Sequence, residues 1–283
     1  MKKVAIVVDS ASGLNKKQAE DLGWFYLPLR IELDGKTYND GIDLTPEDFF
    51  TYFNLDTKTY RTSATPIGVA EDLISELSKT HDYVVVFPIS KHLSSQYQNL
   101  KALESSYPKL RVIESIFVAS LITLQVWDFV ELIKNGTDVD EAIREIEQWD
   151  ERQKVSIFPK HNEYLLKGGR LTPAAAVVAR LLRIIPIVSF YKGKLEKEGK
   201  GLVFLKTIYK NIDAKLKDND KDILIIHSNS GDLKDVVDYI KSKGKNRVFT
   251  TLLPNCISVH TGPETIVVVQ LAKNLTEEKI STL

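Results

Sequence analysis

Apolar and polar positions along the chain follow two alternating rhythms. Short unbroken apolar runs, at 4–8 (VAIVV) and 83–89 (YVVVFPI), end at Asp, Ser or Pro and predict strands buried on both faces. Between such runs, apolar residues recur every three or four positions, which predicts helices at 15–22, 67–77, 94–106, 117–133 and 139–149. The last of these carries Val139, Ile143 and Ile146 on one stripe. Residues 110–115 read as a further strand. Residues 25–33, a turn at Asp34-Gly35 and a returning strand predict a hairpin. Thr45, Pro46 and Asp48 then give a capping-box start for a helix over 44–53. This succession of strand and helix predicts a largely parallel sheet.

Beyond residue 150 the rhythm is less regular. Strands are expected at 154–158, 185–190, 222–228, 247–253 and 265–271. Helices are expected at 162–171, 173–183, 207–217 and 231–242, the first of them stopped by Gly168-Gly169. Residues 191–201 form a charged, Gly-punctuated loop or hairpin. The expected fold class is α/β with two α/β domains, divided near 150–160 into residues 1–155 and 156–283. Ligands of parallel sheets bind outside the carboxyl ends of the strands. Those ends here carry Asp9-Ser10 and the segment from Ser90 to Ser94, with Thr62-Ser63 ahead of a helix.

Composition narrows the function. The chain has 283 residues, 43% hydrophobic and 27% charged, with Lys plus Arg and Asp plus Glu both at 38. That balance gives no basic excess, so no nucleic-acid partner is expected. Cys256 is the single cysteine, which excludes an internal disulfide and a thiolate metal cluster. The opening apolar run is too short for a signal segment. The apolar stretch 174–190 is interrupted by Arg180, Arg183 and Pro186, so no membrane span is expected. These features point to the cytoplasm.

The sequence contains no phosphate-loop, dinucleotide-binding, zinc-protease or nucleophile-elbow motif. Hydroxyls instead crowd two predicted helix starts: Thr62, Ser63 and Thr65 ahead of Pro66, and Ser94-Ser95 after a buried strand. A helix start offers free N–H groups, and hydroxyls beside it add neutral donors, a combination suited to a carboxylate or phosphate. The alternative is that Thr65 and Ser94 are plain N-caps and that Asp9-Ser10 is only a turn. His260 ahead of a Thr261-Gly262-Pro263 turn, and Arg170 after the Gly-Gly stop, are further anion-binding candidates. The alternatives there are a structural histidine and a solvated arginine.

Six stretches, in order, resemble blocks of the DegV family of bacterial fatty-acid-binding proteins. They are VVDSASGL, LPLRIELDGKTYNDGIDLTPEDFF, RTSATP, ISKHLSSQYQ, LKGGRL and HTGP. The resemblance implies a two-domain α/β protein with a long-chain fatty acid in a tunnel between the domains. It implies a carrier without catalysis of its own, cofactor or metal. The carrier presents the acyl carboxylate to a separate ATP-dependent fatty acid kinase, which makes acyl phosphate for phospholipid synthesis. Transient membrane contact is compatible with such a role. By the same resemblance Thr62, Ser63 and Ser94 hold the carboxylate, His260 and Arg170 lie near the head group, and Lys206 falls where the family contacts its partner. The chain departs from the family blocks in a Thr-Ser loop one residue shorter before its proline, and in Lys91, His92 and Ser95 in place of small residues. The principal rival is a serine hydrolase using Ser94, His260 and Asp9. A sugar- or dihydroxyacetone-type kinase domain and a regulator or scaffold are the others.

Overall fold

The computed structural model describes residues 2–180, 184–217, 220–244 and 246–283. The chain divides into two compact units: Met1–Gln148 with Pro254–Cys256, and Trp149–Leu253 with Ile257–Leu283. The first unit thus ends at Gln148, ahead of the expected 155, and takes in three residues from far along the chain.

Among the described residues the first unit holds seven strands: β1 Val4–Asp9, β2 Phe25–Leu27, β3 Arg30–Leu33, β4 Lys36–Asn39, β5 Tyr60–Ser63, β6 Tyr83–Phe87 and β7 Leu110–Val112. Four form a sheet in the order β2-β1-β6-β7, every pair parallel. Its apolar runs are continuous because helices cover both faces. On one face Val7, Val84 and Val86 pack with Ala70, Ile74 and Leu77 of the Ile67–Thr80 helix and Leu100 of the Gln96–Ala102 helix. On the other, Phe87 meets Phe129 of the Ser120–Lys134 helix edge-on, with ring centroids 5.5 Å apart. Each such side chain contributes about 1.5–3 kcal/mol by leaving water.

The remaining strands make an antiparallel sheet in the order β4-β3-β5. The Asp34-Gly35 hairpin is present, and the Thr45 hydroxyl caps the Pro46–Tyr52 helix by accepting the Asp48 N–H. Its third strand was not expected. The stretch read as the lead-in to a helix is β5, in register with β3 at Thr62–Ile31 and Ser63–Arg30.

The second unit holds β8 Lys154–Phe158, β9 Ile185–Tyr191, β10 Lys194–Gly201, β11 Ile223–His227, β12 Val248–Leu252 and β13 Ile266–Gln270. They form one mixed sheet, β10-β9-β8-β13-β11-β12, in which only β11 and β12 run parallel. The charged stretch after β9 is a hairpin. The core gathers Phe158, Ile225 and Val268 of the sheet with Ile208 and Ile212 of the Phe204–Leu216 helix and Val236 and Ile240 of the Leu233–Ser242 helix. The expected end of helix 173–183, at 181–183, lies outside the described residues. Among the described residues no helix is long and apolar enough to cross a membrane.

Candidate functional site

In the first unit the carboxyl end of β1 carries fully buried Asp9. Its Oδ1 accepts the Ala11 N–H at 3.0 Å and its Oδ2 the Ile89 N–H at 2.7 Å. The first bond makes the local turn. The second ties β1 to the loop that follows β6. Burial pushes the Asp9 carboxyl up to about 7, against those two donors. Asp40 is buried nearby, and its Oδ2 accepts the Cys256 N–H at 3.2 Å. Burial pushes it up to about 6, opposed by Cys256, Ser10 and Asn255. Burial, with Asp40 beside it, raises the Cys256 thiol well above its ordinary range, which keeps it unreactive. Asp9 is therefore a strand-end anchor whose two oxygens answer main-chain donors. A triad acid would instead orient a histidine.

Alternation along β5 separates the two hydroxyls that the sequence places side by side. Thr62, paired with fully buried Ile31, lies half-buried, whereas Ser63 is exposed beside Arg30 on the opposite face. Thr65 is not the cap of the following helix. Pro66 occupies that position without a side-chain cap bond. The Thr65 hydroxyl instead donates to the Pro28 carbonyl at 2.9 Å and accepts from Gln96 Nε2 at 2.8 Å, while the Thr65 N–H donates to Gln96 Oε1 at 2.9 Å. Ser94, half-buried, accepts the Gln96 N–H on its hydroxyl oxygen at 3.2 Å. Gln96 thus joins the segment after Thr62 to the segment of Ser94. Ser95 is exposed, and Lys91 forms an ion pair with Glu114.

In the second unit the Asn162–Gly168 helix ends on Gly169 in the left-handed region, φ 67°. The bend returns Arg170, whose Nη1 donates to the Gly168 carbonyl at 2.6 Å. A β-carbon on Gly168 would lie 3.1 Å from His260 Nδ1, so the imidazole rests directly on that glycine. Burial, and secondarily the Arg170 guanidinium, lowers His260 to about 4 and holds it neutral at pH 7. His260 is helical. It belongs to the Asn255–Thr261 helix, which Gly262 closes at φ 82° by donating its N–H to the Ser258 carbonyl at 2.8 Å. Glu264, also left-handed at φ 58°, bonds Lys160 at 2.6 Å and His161 at 3.3 Å, and Lys160 also pairs with Asp232 at 3.0 Å. Lys206 is exposed in the first turn of the Phe204–Leu216 helix. Among the described residues no group of three or more His, Cys, Asp or Glu is placed to hold a metal ion.

The structure therefore brings together the Thr62 and Ser94 segments, and separately Arg170 with His260. Sequence reasoning missed Gln96, Asp40 and Glu264.

A family model described as "Uncharacterised protein, DegV family" matches residues 3–273. This chain belongs to the DegV family. A DegV domain-containing protein of Mycoplasmopsis pulmonis is 40% identical over 265 residues, covering 92% of each chain. The crystal structure of a fatty acid binding DegV family protein from Streptococcus agalactiae has a TM-score of 0.82 at 23% identity, covering 95% of this chain and 98% of that one. A stearic acid-binding protein from Eubacterium ventriosum has a TM-score of 0.78 at 22% identity and covers 100% of both chains. This chain shares the DegV fold with both.

Proposed function

We propose that this DegV protein binds a long-chain fatty acid and presents its carboxylate to a separate ATP-dependent fatty acid kinase, without catalysis or a cofactor of its own. The observation that carries the reading is the pair of neutral hydroxyl segments in the first unit. Ser94 accepts the Gln96 N–H on its oxygen, which leaves its proton to donate. Thr62 lies on the sheltered face of β5, three residues from the bond that joins the two segments. The two hydroxyls are assigned as donors to one carboxylate, and Ser63, facing outward, is left out of that contact. Family relatives described as binding fatty acids support the choice of ligand.

Neutral donors suit a group that must remain reactive. A bidentate arginine clamp would hold the carboxylate more tightly and draw charge from the oxygen that attacks phosphorus. The acyl chain supplies the affinity. Each methylene removed from water contributes about 0.8 kcal/mol, less the cost of association. In the second unit, Arg170 and Lys206 are assigned to the partner kinase and the phosphoryl group it delivers. His260 is neutral and packed on Gly168.

The serine hydrolase reading draws no support from the bonds of Asp9 and Ser94, which go to main-chain groups. Mass spectrometry of an organic extract of the purified protein tests the proposal. A fatty acid at about one per chain is expected. Turnover of a nitrophenyl ester that disappears in Ser94→Ala would overturn the proposal in favour of the hydrolase.

A further inference from the structure

Gln96 occupies the first position of the Gln96–Ala102 helix and is fully buried. Both ends of its amide engage Thr65: Oε1 accepts the Thr65 N–H, and Nε2 donates to the Thr65 hydroxyl. The Thr65 hydroxyl donates its own hydrogen bond to the Pro28 carbonyl. The main-chain N–H of the same glutamine donates to the Ser94 hydroxyl oxygen.

A hydroxyl has one proton and two lone pairs. At Thr65 the proton is used and a lone pair is filled, so this hydroxyl has no proton left to donate to a carboxylate. At Ser94 a lone pair is filled and the proton is left. The side chain and the main-chain N–H of residue 96 therefore set opposite roles for two hydroxyls, one on each segment. Its side chain is rigid by burial and bound at both ends, so it also sets the separation of the two segments.

We infer that the Gln96 side chain is a positioning residue for the head group, which through Thr65 sets the separation between the Thr62 strand and Ser94, whose proton the main-chain N–H of residue 96 leaves to donate. The inference rests on the reading that Thr62 and Ser94 hold a carboxylate. It adds a specificity: the site favours a head group that accepts hydrogen bonds and disfavours an ammonium, which only donates. A fatty alcohol, able to do either, depends little on the polarity of Ser94.

The test measures binding of palmitic acid and of the matching alcohol and amine to wild type, Gln96→Leu and Thr65→Val, with thermal stability recorded in parallel. Wild type is expected to prefer the acid to the amine. In Gln96→Leu, acid affinity should fall roughly tenfold, about the worth of one well-placed hydrogen bond to a charged group, while alcohol affinity changes less than about twofold. Thr65→Val keeps the shape of the segment and removes only the hydroxyl, so it should repeat this pattern even if Gln96→Leu folds poorly. Equal weakening of acid and alcohol would reduce Gln96 to support of the fold and overturn the inference. Unchanged acid binding in both variants would overturn it as well. A wild type that binds no palmitic acid would overturn the fatty-acid reading itself, an outcome distinct from either.

Discussion

The two units answer buried charge in opposite ways. In the first, Asp9 and Asp40 are buried, and the partners of their carboxylates are main-chain N–H groups, a serine, an asparagine and a cysteine. In the second, buried Asp222 meets the Arg247 guanidinium through both oxygens, and the partly exposed Glu264 is shared by Lys160 and His161. Neutral partners leave a carboxylate costly to ionise, and its pKa rises. The Lys160 bond, with His161 beside it, lowers the Glu264 carboxyl below its ordinary range. The contrast carries over to the proposed roles. A region of neutral donors can hold an anion without neutralising it.

The largest expected effect falls in the second unit, at the glycine that closes the Asn255–Thr261 helix. Gly262 has φ 82°, and a β-carbon there would lie 2.6 Å from Tyr164 Cδ2. Gly262→Ala should destabilise the protein by about 2–4 kcal/mol, read as a lowered denaturant midpoint.

Next come the neutral donors. Thr62→Ala and Ser94→Ala should each weaken fatty-acid binding by about one to two decades, since a hydrogen bond to a charged group is worth roughly 1.5–3 kcal/mol. In a double-mutant cycle the two losses should be less than additive, because the shared carboxylate shifts after the first. Arg170→Ala should retain binding and lose acyl-phosphate formation. Strict additivity, or an Arg170→Ala protein that sheds fatty acid yet is phosphorylated normally, would dissolve the division of labour.

The pH dependence should run in opposite directions. Asp9 and Asp40 stand at about 7 and about 6 when folded, above the roughly 3.9 of an unfolded aspartate. Their contribution to stability is present below about pH 4 and is lost as pH rises through those values. His260 stands at about 4 against roughly 6.5 unfolded. Its contribution is present above about pH 6.5 and is lost as pH falls towards 4. Melting temperatures across this range should show Asp9→Asn flattening the loss at the higher pH, and His260→Gln flattening the loss at the lower. The histidine effect should be the smaller, since its ring is partly open to solvent.

The smallest effect concerns Glu264. Its left-handed backbone costs a non-glycine residue about 1 kcal/mol, and its half-exposed ion pairs return roughly that much. Glu264→Ala should therefore be less stable than Glu264→Gly by about 1 kcal/mol, measured as the difference in unfolding free energy.

The parallel strands were legible because burial on both faces requires an unbroken apolar run, as in β1 and β6. The hairpin at Asp34-Gly35 and the cap at Thr45 were legible because their chemistry is local. β5 was not. Its four residues are mostly polar and gain strand character only by pairing with β3 across a long loop. Thr65 looked like a cap because it precedes a helix, yet its partners, Pro28 and Gln96, lie 37 and 31 residues away. The Asn255–Thr261 helix spans seven residues, too few to establish a period. Gln96 carried no signal, since a buried glutamine is recognisable only by what it touches.

The alternation of β5 gives the chain a parity. Residues 62 and 63 both carry hydroxyls, one facing inward and one outward, and Pro66 with the Thr65–Gln96 bonds holds the far end of the strand. Deleting or inserting one residue ahead of that anchor would exchange the two hydroxyls without altering the amino acids at either position. A change of two would restore the original pattern. Length in this short stretch can therefore vary among descendants in steps that are silent or inverting according to whether they are even or odd, so a threonine-serine pair preserves an inward hydroxyl under either outcome.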